Sequence, residues 1–229
     1  MCSSFSTASA LKVAALCGGR MPEFSYSAEC YPGRDSPIII ADESGELVPV
    51  RAGFGMLPHW ANVKLARQTY NARSETVADK PSFRNAWKKK QTCLVPVQEF
   101  FEPNYESGKP VRWGIGRKDG ELTLLAGLWE MRKGEDGQDQ RTFTMLTISG
   151  EGHPIMSRMH APEDEKRSVV PLEIPDWPLW LRPDDHDAMR ALLRPFPAEL
   201  YSTWAKPLVR KPKAEKPTVP PEQDDLIGT

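Results

Sequence analysis

Four groups of residues in this 229-residue chain have types and spacings that could do chemistry. The first is Cys2. Once Met1 is removed, as expected ahead of a small residue, the chain begins with a free α-amine beside a thiol. Reference pKa values of about 7.7–8.0 for the amine and about 8.5 for the thiol make both nucleophiles accessible near neutral pH. A 1,2-aminothiol condenses with an aldehyde to a Schiff base, and thiol attack on the imine carbon then closes a five-membered thiazolidine. The second group is Tyr70-Asn71-Ala72-Arg73-Ser74-Glu75-Thr76. Asn71 offers an amide that can orient an amine or hydroxyl, Arg73 a fork suited to phosphate, and Glu75 a carboxylate to hold that fork. The third is Phe100-Phe101-Glu102-Pro103. A carboxyl group beside two aromatics and a proline is partly desolvated, which raises its pKa and lets it donate a proton. The fourth is His160, in a loop ahead of Pro162, where an imidazole can exchange protons near pH 7. Each position also has a structural reading: a frayed terminus, a capped polar turn, a surface Glu at a strand end, a buried structural His.

The elements that must position these residues read as α+β. Ser6 or Thr7 caps a first helix that Gly18-Gly19 ends, which puts Cys2 just before a helix. Residues 37–41 and 46–54 form a hairpin in which Val48, Val50, Ala52 and Phe54 alternate and Pro49 suits an edge. A short helix covers about 82–90, with Phe83, Ala86 and Trp87 on one face and Lys88, Lys89 and Lys90 on the other. From Cys93 to Ile148 the pattern is mostly strand, at 93–97, 111–115, 122–129 and 141–148, with connections short enough for antiparallel neighbours. A late helix starts at Pro183 and is ended by Pro195. The expected fold is one domain over 1–205, an antiparallel, partly barrel-like twisted sheet flanked by short helices. A disordered Lys/Pro-rich tail is expected over 206–229.

Composition narrows the partners. No apolar run approaches the length of a membrane helix, and the N-terminus lacks a secretion signal, so a cytoplasmic protein is expected, nucleoid-associated if bacterial. Four separated cysteines without a C-x-x-C pair suggest reduced thiols and no metal site, and no nucleotide-binding fingerprint implies a cofactor. The formal net charge is -1, but residues 61–118 carry twelve Lys/Arg against five Asp/Glu. That basic stretch is interleaved with Trp60, Tyr70, Phe83, Trp87, Phe100 and Phe101, which fits either a phosphate-binding surface with stacking aromatics or a solvated helix face over a core.

Taken together and in this order, the motifs resemble the SRAP family, the SOS-response-associated peptidases better described as abasic-site processing proteins. The resemblance rests on Met1-Cys2, Gly55-Met56-Leu57-Pro58-His59-Trp60, Asn71-Ala72-Arg73-Ser74-Glu75-Thr76, Cys93-Leu94-Val95-Pro96 leading into Phe100-Phe101-Glu102-Pro103, Ala126-Gly127-Leu128-Trp129, and Met159-His160. It implies that Cys2 forms a thiazolidine with the ring-opened aldehyde of an abasic site in single-stranded DNA, shielding the lesion. Asn71 would position the amine or sugar, and Glu102 and His160 would shuttle protons. Arg73 would hold a phosphate, with Glu75 beside it, and Pro32, Phe54 and Trp60 would belong to the DNA-facing wall. No metal or small-molecule cofactor is implied, and a monomer is expected. The chain departs from the family pattern in three places. Cys2-Ser3-Ser4-Phe5 replaces Cys-Gly-Arg-Phe, Cys30-Tyr31-Pro32-Gly33 lacks the usual Asn, and the H-D-R-M-P segment becomes His160-Ala161-Pro162-Glu163-Asp164-Glu165-Lys166-Arg167. Two rival readings remain open here: an N-terminal-cysteine amidase or peptidase, and a non-covalent single-strand DNA-binding module.

Overall fold

A computed structural model describes residues 2–134 and 137–208. Twelve strands form one sheet: β1 (Ser4–Thr7), β2 (Glu29–Cys30), β3 (Asp35–Ala41), β4 (Leu47–Phe54), β5 (Asn71–Arg73), β6 (Thr92–Asn104), β7 (Val111–Arg117), β8 (Thr123–Lys133), β9 (Asp139–Ser149), β10 (Arg167–Val169), β11 (Pro171–Leu172) and β12 (Tyr201–Ala205). Four short helices flank it: α1 (Ala10–Leu16), α2 (Arg84–Lys88), α3 (Trp177–Leu181) and α4 (His186–Ala191). Strands β8, β9, β4, β3 and β6 close on themselves through a β6–β8 pairing, giving a five-stranded barrel.

The barrel explains the apolar runs at 93–97 in β6 and 124–129 in β8. Both faces of these strands are buried. One face, with Cys93, Val95, Val97 and Leu125, fills the barrel interior with Phe54, Phe143 and Met145. The other, with Leu94, Leu124, Ala126 and Leu128, packs outward against Val13, Trp87, Trp180 and Met189 from the helices. Gly127 permits the closure, because a Cβ there would lie 2.8 Å from Cys93 Sγ and 2.9 Å from the Thr144 carbonyl oxygen.

Several expectations are corrected. Ser6 and Thr7 do not cap α1. They belong to β1, where pairing with β6 claims their backbone, and Ser9 caps α1 by accepting from Lys12 N. Cys2 therefore precedes a strand. The sheet is mixed: β4 and β5 both run parallel to β9, which the long crossover from residue 73 to 139 makes possible. The late helix begins after Asp185, which caps it, and α3 precedes it. The hairpin stands, with Pro49 opposite Ile39 at a point where β4 has β3 as its only paired strand. Of the expected tail, residues 209–229 lie outside the described residues. Its first residue, Lys206, is held: its N–H donates to the Arg112 carbonyl (2.8 Å), and its ammonium pairs with Glu99 and lies over the Phe101 ring. No described helix is long and apolar enough to cross a membrane.

Candidate functional site

Pairing of Ser4 with Phe101 and Phe5 with Phe100 carries the N-terminus along β6 toward its far end. Cys2 arrives fully buried in the interior cluster, its thiol donating to the Ser4 carbonyl (3.3 Å). Burial, and next the Glu102 carboxylate, push this thiol up to about 12. A thiol so placed is protonated near neutral pH, so it needs a neighbouring group to take its proton as it attacks. Strand β5, laid on β9 by the Asn71-to-Met145 register, brings Asn71 to the same point. Asn71 Nδ2 donates to the Cys2 carbonyl (2.8 Å), and Asn71 Oδ1 is buried with no partner among the described residues.

Glu102 and His160 come together across 58 positions of sequence. His160 Nε2 lies 2.9 Å from Glu102 Oε2, and the two side chains are 6% and 1% exposed. The loop that carries the histidine is docked on the end of β6. Asn104 bridges to Met159, Asn104 Nδ2 donates to the Arg158 carbonyl (3.1 Å), and His160 N donates to the Pro103 carbonyl (2.7 Å). His160 holds φ at +66°, a left-handed conformation rare for a residue with a Cβ, which aims its ring at the carboxylate. Tyr70 belongs to the same pocket. Its hydroxyl is pushed up by burial and then by the Glu102 and Cys2 charges.

The expected nucleic-acid contacts divide. Trp60 is 55% exposed on the loop after β4, and Pro32 is half-buried before the turn at Gly33. That loop needs Gly55, whose φ is +106° and whose Cβ would meet the Ala66 carbonyl oxygen at 2.3 Å. The Phe54 side chain is fully buried, stacked on Phe143 (5.1 Å) and edge-on to Phe5 (5.4 Å) and Tyr70 (5.8 Å), in the interior cluster that also holds Cys2, and Phe54 lines a groove with Gly33, Arg51 and Arg141. Glu75 does not hold Arg73. It receives both terminal nitrogens of Arg167 (2.9 and 2.8 Å), while Arg73 pairs with Glu165 (2.7 Å). Arg167 also reaches Glu165 (3.0 Å), so Glu165 bridges two arginines. Sequence reasoning set Tyr70 among the stacking aromatics and passed over Glu165 and Arg167 as site members. The acidic run Glu163-Asp164-Glu165, which ends two residues before Arg167 opens β10, was the available signal for a charged network there.

The closed barrel thus gathers a buried Cys2, the Asn71 amide and a carboxylate–imidazole pair at one point. The chain matches the family described as SOS response associated peptidase (SRAP) over residues 1–212, and it belongs to that family. It is similar to the abasic site processing protein YoqW of Bacillus subtilis (strain 168), 29% identical over 204 residues that cover 86% of this chain and 87% of YoqW. YobE of the same organism, also called an abasic site processing protein, is 30% identical over 185 residues, 78% of this chain and 80% of YobE. A crystal structure of a Bordetella bronchiseptica protein superposes with a TM-score of 0.82 at 30% identity, covering 90% of this chain and all of that one. A Bacteroides thetaiotaomicron protein shares the fold, with a TM-score of 0.74 at 24% identity over 89% of this chain and 91% of its own.

Proposed function

We propose that this protein captures abasic sites in single-stranded DNA as a covalent thiazolidine on Cys2. The observation that carries the reading is the junction of three elements at one buried point: Cys2 held through its carbonyl by Asn71, and beside it Glu102 in contact with His160. The family and the names of the relatives support the same substrate.

The chemistry balances with these groups. With Met1 removed, Asn71 Nδ2 on the Cys2 carbonyl fixes the direction of the α-amine, and Oδ1 is an acceptor for an amine hydrogen or a sugar hydroxyl. Ring opening of the abasic deoxyribose moves the proton of its C1′ hydroxyl to the ring oxygen, a transfer suited to a carboxylate–imidazole pair. The amine then attacks the aldehyde carbon, and protonation of the carbinolamine oxygen expels one water to leave the imine. The thiol adds to the imine carbon while its proton passes by way of Glu102 to the nitrogen, closing the ring. Because burial holds the thiol protonated, that final transfer depends on the carboxylate. These steps use the Cys2 α-amine and the side chains of one chain.

The test is intact-mass analysis and a denaturing gel after mixing the protein with a single-stranded oligonucleotide bearing one abasic site, beside an undamaged control. The expected product has the mass of protein without Met1 plus DNA minus one water, and Cys2→Ser yields none. A heat-stable adduct in Cys2→Ser, or none from the intact protein after confirmed Met1 removal, overturns the reading. Glu102→Gln and His160→Ala are expected to slow capture by about 10²-fold or more.

A further inference from the structure

A groove of about 490 Å³ lies against α2 and α4, lined by Arg84, Lys88, Arg190, His186, Asn85 and Trp87, with Ala78 at its edge. Its lining holds three cations and no carboxylate. Arg84, Lys88 and Arg190 are exposed, and among the described residues none of the three is ion-paired. Arg51, Arg73, Arg112, Arg117, Arg158 and Arg167, by contrast, each sit on a carboxylate. The groove is also pre-ordered. The Arg190 guanidinium lies 5.1 Å over the Trp87 ring, and His186 packs on the same indole at 5.6 Å while its Nε2 meets the Trp87 carbonyl at 3.0 Å.

Its location gives it a partner. Arg190 Nη1 reaches the carbonyl of Ser74 at 3.4 Å, the residue after Arg73. Arg73 shares β5 with Asn71, two residues away and on the same strand face, and Asn71 touches Cys2. Arg73 and the Ser74 carbonyl held by Arg190 therefore connect the Asn71 end of the site to the groove that holds Arg84 and Lys88. We propose that this groove is a second binding site, one that takes the phosphodiester backbone of the strand flanking the residue held at Cys2. The proposal rests on the reading that single-stranded DNA is the substrate. The contact is to phosphate rather than bases, because Trp87 is only 3% exposed beneath Arg190 and offers no free face for stacking. It would hold undamaged and damaged strands alike.

The experiment uses the full chain and two undamaged probes, oligo-dT of 30 and of 5 nucleotides, titrated at several salt concentrations. For single strands each phosphate contact contributes about 0.7 to the slope of log K against log salt, so Arg84→Ala/Lys88→Ala/Arg190→Ala is expected to lower the slope on the 30-mer by about 2 and weaken binding at low salt by roughly tenfold or more. Binding of the 5-mer, and covalent capture of a 5-mer carrying the lesion, stay as in the unsubstituted protein. A variant matched in number, Arg20→Ala/Lys118→Ala/Lys133→Ala, removes three cations elsewhere, two of them paired with Asp42 and Asp139, and leaves the slope unchanged. If loss of Arg190 exposes Trp87 and impairs folding, Arg84→Ala/Lys88→Ala carries the same test with a drop of about 1.4. An unchanged slope, or an equal drop in the matched variant, overturns the groove. Because capture of the short lesion strand is read separately, failure of the groove and failure of the Cys2 chemistry are distinguishable.

Discussion

The Glu102–His160 pair and the Arg73–Glu165 pair have nearly the same separation, 2.9 and 2.7 Å, and lie at two depths of one site. The first is 1% and 6% exposed; the second is 45% and 48% exposed on the side of Glu165 and Arg73. Distance alone would rank them as equals. In the interior, each partner is shielded from water, so removing one takes a hydrogen bond from a buried polar group that water replaces poorly. At the rim, water and salt stand in for either partner, and the pair is worth about 0–1 kcal/mol. The buried pair is thus suited to move protons in a fixed geometry, and the rim pair is suited to exchange one anion for another.

The sharpest way to break this comparison is to truncate one member of each pair. Glu102→Ala is expected to cost about 1–3 kcal/mol in denaturant unfolding, because it takes a hydrogen-bond partner from the buried His160 imidazole. Glu165→Ala is expected to cost about 1 kcal/mol or less. Equal costs would mean that the interior pair is solvated and that its proton-transfer role lacks a basis.

Alkaline pH separates the two depths next. Burial pushes the thiols of Cys2 and Cys30 up to about 12 and that of Cys17 up to about 11, from 9.0. A raised folded-state value means the unfolded chain releases its protons first. The stability from these thiols is therefore complete below about pH 8.5–9 and is lost as pH rises toward 12. At pH 10.5 the loss is up to about 2 kcal/mol for each fully buried thiol. Comparing the unfolding free energy at pH 8 and 10.5 in the unsubstituted protein and in Cys30→Ala isolates one thiol, and the variant should lose less stability over that interval. Parallel pH dependences would show that Cys30 is solvated.

How much of this was legible in the chain depends on the range over which each feature is set. The alternation Val48, Val50, Ala52, Phe54 already put Phe54 on the face of the buried Ala52, so the burial of its side chain was readable locally. The residues Cys2, Asn71, Glu102 and His160 stood out by type, but their meeting point depends on three long-range pairings: β1 on β6, β5 on β9, and the Met159 bridge to Asn104. Four-residue β1 carries too little pattern to reveal itself, and Ser6 and Thr7 are equally good caps until β6 is present to pair with them. The exchange of partners among Arg73, Glu75, Glu165 and Arg167 was hidden for another reason. Closeness in sequence favours Arg73 with Glu75, and only the arrival of β10 beside β9 supplies Arg167 as the better, buried partner for Glu75.

That exchange leads to the smallest expected effect. Glu165 occupies Arg73 with the kind of anionic oxygen that a phosphate would present, and it does so in a segment where the usual H-D-R-M-P has become His160-Ala161-Pro162-Glu163-Asp164. An incoming strand must displace that carboxylate before Arg73 can hold it. Glu165→Gln keeps the length and the hydrogen-bonding oxygen but removes the charge, so Arg73 is expected to bind undamaged single strands about two- to fivefold more tightly at low salt, the gain that corresponds to an exposed pair worth up to about 1 kcal/mol. The gain should fade as salt rises, since both the rim pair and the phosphate contact are screened. Arg73→Ala should abolish it, because the charge at Glu165 then has no phosphate-binding arginine to withhold. Fluorescence anisotropy of a labelled oligo-dT with the two single variants and the double variant reads all three statements. If Glu165→Gln tightens binding just as much in the Arg73→Ala background, the acidic loop repels the strand as a whole, and the rim pair has no part in admitting it.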